Sequence, residues 1–91
     1  MLVSVITLTG NADAVVAATT PTGRIRFESE AGNAVVYLGN SLVSSTVYGA
    51  TITGGAGATI LELVFPDTAD AGAMFLHGTV GQKVHVIINV H

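Results

Sequence analysis

The side chains best suited to acid–base work or to holding a metal ion are three histidines, His77, His85 and His91. A hydrolytic site needs a nucleophile, a base and a group that orients the base. The five serines (Ser4, Ser29, Ser41, Ser44 and Ser45) include none in a G-x-S-x-G elbow, and no spacing ties a serine to a histidine and to Asp67 or Asp70. His85 and His91 share one face of a strand but stand about 20 Å apart along it, too far for one ion. His77 meets His85 only if a hairpin turns through residues 78–81, and two histidines leave a zinc ion short of ligands. One histidine repeated by three subunits around a symmetry axis is the other route to such a site.

The remaining chemistry is sparse. Asp67-x-x-Asp70 offers one pair of acids, two or three ligands short of a calcium site. Gly54-Gly55-Ala56-Gly57 lacks the Gly-Lys-Ser/Thr ending of a phosphate loop and reads as a connection between strands. Glu62 stands alone on a strand, and Glu28 and Glu30 flank a turn, so no carboxylate pair for glycoside cleavage is evident. Tyr37 and Tyr48 are the only polar aromatics, a thin platform for stacking a sugar.

The elements that would carry these residues are strands. Thirty of the 91 residues are Val, Thr or Ile, all β-branched, and eleven glycines punctuate the chain into short runs. Strands are expected over residues 2–9, 14–18, 24–28, 34–38, 42–47, 48–53, 59–65, 73–77 and 83–90. Turns are expected at 21–23, 30–33 and 78–81, and an acidic loop over 66–72. In the third run Ile25 and Phe27 alternate with Arg24, Arg26 and Glu28, the mark of a half-buried strand. In the last, Val84, Val86, Ile88 and Val90 share the core face, and Lys83, His85, Ile87, Asn89 and His91 share the other. The first run is apolar on both faces, Leu2, Ile6 and Leu8 against Val3 and Val5. Burial of both faces needs either a neighbouring chain or a tightly curled barrel. These patterns give an all-β fold: one small antiparallel β-barrel or jelly-roll-like β-sandwich of about eight strands, residues 1–91 as a single domain.

Composition bounds the partners. Hydrophobic residues make up 49% of the chain and charged residues 10%, with three cations against six acids and no cysteine. An ordinary soluble domain carries about 25% charged residues. Nucleic acid is excluded as a partner for want of clustered Lys and Arg. A membrane is excluded because no apolar run approaches the ~18 residues of a spanning helix, and the first residues do not read as a signal peptide. The surface expected of a folded chain this size is about 4,900 Å², with roughly 63% of the open chain's surface buried. Few charges on so small a core point to a subunit that covers surface against copies of itself.

The stretch Arg24-Ile25-Arg26-Phe27, then Val35-Val36-Tyr37-Leu38-Gly39-Asn40-Ser41-Leu42-Val43-Ser44-Ser45, then Thr59-Ile60-Leu61-Glu62-Leu63 and Met74-Phe75-Leu76-His77-Gly78-Thr79-Val80, resembles small all-β structural proteins of tailed-bacteriophage virions. The resemblance spans about residues 24–90. It implies a non-enzymatic virion protein without a cofactor, made in the host bacterial cytoplasm. A capsid decoration (cement) protein that stabilises the head by bridging capsid subunits on the outer shell is the leading reading; its partners are the major capsid protein and copies of itself, as a trimer. The expected contact residues are Val3, Val5, His85 and Ile87. A tail-fibre, head-fibre or baseplate module binding a host glycan is the alternative, with its site near Tyr37, Tyr48 and residues 66–72. A small cupin-like metalloenzyme using His77 and His85 is the third. With His85 and His91 at an interface, protonation near pH 5–6 would weaken assembly.

Overall fold

Alternation of apolar and polar side chains decides the central strand. In β3 (Pro21–Ser29), Ile25, Phe27 and Ser29 are buried, while Arg24, Arg26 and Glu28 face outward. The computed structural model describes residues 1–53 and 57–90. Among these β3 lies between β6 (Thr59–Asp70) and β8 (Lys83–Val90), and β8 pairs in turn with β1 (Leu2–Thr7). The second sheet has the order β2 (Asp13–Ala14), β7 (Phe75–His77), β4 (Val36–Gly39) and β5 (Ala50–Ile52). Every pairing is antiparallel. The fold is all-β, two four-stranded sheets that do not close into a barrel, with no α-helix among the described residues.

One core joins the sheets. Ile25, Phe27, Val84, Val86 and Ile88 come from the first sheet, and Val36, Leu38, Ile52 and Leu76 from the second. Leu8, Val15 and Ala71 fill in from the connections, and Leu61, Leu63, Phe65 and Met74 pack at the margin. The accessible surface is 4796 Å², close to the area expected from chain length. The radius of gyration of 12.0 Å is that of an ordinary folded domain of this size, about 12 Å.

Several expected elements differ. Residues 42–47 are a loop, not a strand, because side chains capture the backbone. Asn40 Oδ1 accepts from the N–H of Leu42 at 2.9 Å, and Ser44 Oγ accepts from those of Thr46 and Val47 at 3.2 and 3.1 Å. Residues 14–18 pair only through Ala14 in β2. The turn expected at 21–23 is the start of β3, with an irregular register between Thr22 and Arg24 where Gly23 intervenes. The acidic loop belongs in part to β6, whose pairing with β3 jumps from Val64 to Ala69. Pro66, which has no N–H to give, sits in that unpaired excursion. The glycine-rich segment 54–57 falls largely outside the described residues, as does His91.

Candidate functional site

The outer face of the β1-β8-β3-β6 sheet is laid out by strand register. One row runs Val3, Ile87, Arg26, Glu62, and the next runs Val5, His85, Glu28, Ile60. The four expected contact residues therefore lie together: Val3 is opposite Ile87, and Val5 opposite His85. They face outward because Val84, Val86 and Ile88 of the same strand are buried. Val3 and Val5 are 67% and 51% exposed, so the outer face of β1 is not covered within the chain, while Ile6 on its other face packs against the core. Ile60 and Val64, 53% and 62% exposed, line the far edge of the same face. Reading the sequence missed them, although Glu62 between them marks the outer side of β6.

Charges occupy the middle of this face. Arg26 lies 3.5 Å from Glu28, and Arg24 lies 3.7 Å from Glu62. His85 Nε2 is 2.6 Å from Glu30 Oε2, with both side chains less than half exposed. His85 thus has a carboxylate of its own chain as its partner on this face. The face has apolar side chains toward each border and, between them, a strip of paired charged and polar side chains.

His77 lies elsewhere. It ends β7 in the second sheet, opposite Tyr37, while His85 belongs to the first sheet. β7 and β8 form no hairpin ladder, so the expected meeting of His77 with His85 across residues 78–81 does not occur. Among the described residues no three His, Asp or Glu side chains gather as metal ligands. Asp70 is occupied structurally: its Oδ1 accepts from the N–H groups of Thr20 at 2.9 Å and Gly72 at 2.8 Å. Asp13 does similar work, accepting from the N–H of Thr9 at 2.9 Å and from its hydroxyl at 2.6 Å.

A second surface forms on the outside of the other sheet. The Tyr37 and Tyr48 rings are 5.0 Å apart, and the His77 ring is 6.1 Å from Tyr37. Beside them is a shallow cavity of about 280 Å³ lined by Gly39, Asn40, Val47, Tyr48 and Gly49. An apolar cleft of about 290 Å³ lies where the sheets part, between Leu38 and Ala50 on one side and Leu63, Phe65 and Met74 on the other. Comparison with protein-family models, curated proteins and solved structures finds no match to this chain. The reading of both surfaces rests on their geometry.

Proposed function

We propose that this chain is a non-enzymatic structural subunit of a bacteriophage virion, a capsid decoration (cement) protein that bridges capsid subunits on the outside of the shell. Its two sheets make a jelly-roll-like β-sandwich, a stiff carrier for a flat contact face. The observation that carries the reading is the outer face of the β1-β8-β3-β6 sheet, with Val3, Val5 and Ile87 along one border and Ile60 and Val64 along the other. Apolar borders supply contact area, and the charged strip between them orients the partner. The partner is the major capsid protein, and the place is the outer capsid surface. Rebinding to particles stripped of this protein tests the reading. The unmodified chain is expected to rebind, and Ile87→Lys to lose most of its occupancy while keeping its far-UV circular dichroism. Equal occupancy of the two contradicts it.

A second reading is favoured by the Tyr37, Tyr48 and His77 cluster. Aromatic faces beside a shallow cavity suit a saccharide ring, as in a fibre or baseplate module that binds a host glycan. Binding to immobilised bacterial glycans that disappears in Tyr48→Ala supports it, and no binding to any of them removes it.

A further inference from the structure

Among the described residues β1 pairs only with β8, which leaves its other side as a free edge. Such an edge presents unpaired N–H and C=O groups, a template for one more strand. Proteins blunt edges with charges, prolines or bulges. The opposite edge strand of the same sheet, β6, has all three kinds of guard: Glu62 and Asp67, Pro66, and the break in register after Val64. β1 has none. Its residues Leu2-Val3-Ser4-Val5-Ile6-Thr7 include no charge and no proline, and their register with β8 is unbroken.

We infer that β1 is a pairing edge at which a second copy of this chain adds antiparallel, about a two-fold axis through Ser4. The inference rests on the assembly reading above and names the contact between copies. The apolar pattern is symmetric about Ser4: Val3 and Val5 flank it, then Leu2 and Ile6. Side chains alternate faces, so only registers that keep outer residues opposite outer residues are allowed. With Ser4 on the axis, Val3 of each copy faces Val5 of the other on the outside, and Leu2 faces Ile6 on the core side. Shifting by the next allowed step in one direction sets Ile6 against Ser4 and Val3 against Thr7. Shifting in the other sets Leu2 against Ser4. The axis through Ser4 is the register that matches every apolar side chain with another.

Charge favours the same occupant. A neutral strand meets its own copy without like-charge repulsion, which is destabilising between directly opposed residues. The contact joins two four-stranded sheets into one of eight, and it continues the outer apolar border of Val3, Val5 and Ile87 across the axis. A two-fold contact is isologous and closes at two copies. The stoichiometry is a dimer, where shell symmetry alone points to a trimer.

Light scattering on the purified chain at micromolar concentration is expected to give twice the 9.2 kDa of one chain. The double variant Val3→Lys with Val5→Lys places like charges opposite each other twice and should weaken the dimer roughly tenfold or more. Val3→Lys with Val5→Glu sets Lys against Glu in the same register and should restore it. The chain has no cysteine, so Ser4→Cys offers an independent reading. Directly opposed residues of an antiparallel pair lie about 4.5–5.5 Å apart at Cα, within disulfide reach. Ser4→Cys should oxidise to a covalent dimer, while Ser45→Cys in the exposed loop should not. A monomeric or trimeric unmodified chain, or a Lys/Glu variant no better than the Lys/Lys one, overturns the inference. If the Lys variants lose their circular dichroism, the Ser4→Cys result decides. A monomer that still rebinds to particles overturns the pairing and leaves the assembly reading standing; a dimer that does not rebind does the reverse.

Discussion

Asp70 shows how a residue with the chemistry of a ligand is used as a staple. Its carboxylate holds the N–H groups of Thr20 and Gly72, tying the chain before β3 to the short 3-10 turn Ala71–Ala73 after β6. Gly72 is fixed by close approach, since a Cβ there would stand 2.5 Å from the Ala18 carbonyl oxygen. Asp70→Ala leaves two partly buried donors unmet and should cost about 1–3 kcal/mol in urea unfolding. Glu30→Gln, at the half-exposed pair with His85, should change stability by no more than about 1 kcal/mol. Spacing alone could not separate these roles. The sequence places Asp67 and Asp70 near each other, but which atoms Asp70 meets depends on Thr20, fifty residues away. The outward set on β8, by contrast, is legible from alternation; that Val3 and Val5 join His85 and Ile87 on one face follows from the register of β1 with β8.

At the scale of elements, period-two patterning finds β3 and β8, which each bury one face, and β6, which half-buries one at the margin of the core. It misread residues 42–47 because β-branched content says nothing about where the N–H groups go. There, Asn40 and Ser44 take them, and Val43 turns inward close to Gly39. Ser44→Ala removes an acceptor shared by two N–H groups and should cost about 0.5–1.5 kcal/mol, with faster amide exchange at Thr46 and Val47. β3 is the opposite case. Phe27 is fully buried between its neighbours on β6 and β8, so Phe27→Ala should cost about 3–5 kcal/mol in denaturant unfolding. In so small a domain that is a large part of the roughly 5–10 kcal/mol available.

The whole molecule presents two sheets with different outer faces. One is broad, apolar at its borders and charged in its middle; the other carries a small aromatic cluster. A standard specific contact covers about 800 Å² per partner, against the 4796 Å² of the whole chain, so one face is large enough for one such contact. The low charge content foreshadowed such a face, but its position needed the pairing of β1 with β8, which no local pattern specifies. The central claim is that this face is covered in a virion. Electron cryo-microscopy of intact particles tests it most directly. The account predicts this two-sheet fold on the outside of the shell, with Val3, Val5 and Ile87 at a contact with capsid or with a second copy. Particles that lack the chain, or hold it with this face bare to solvent, would contradict it.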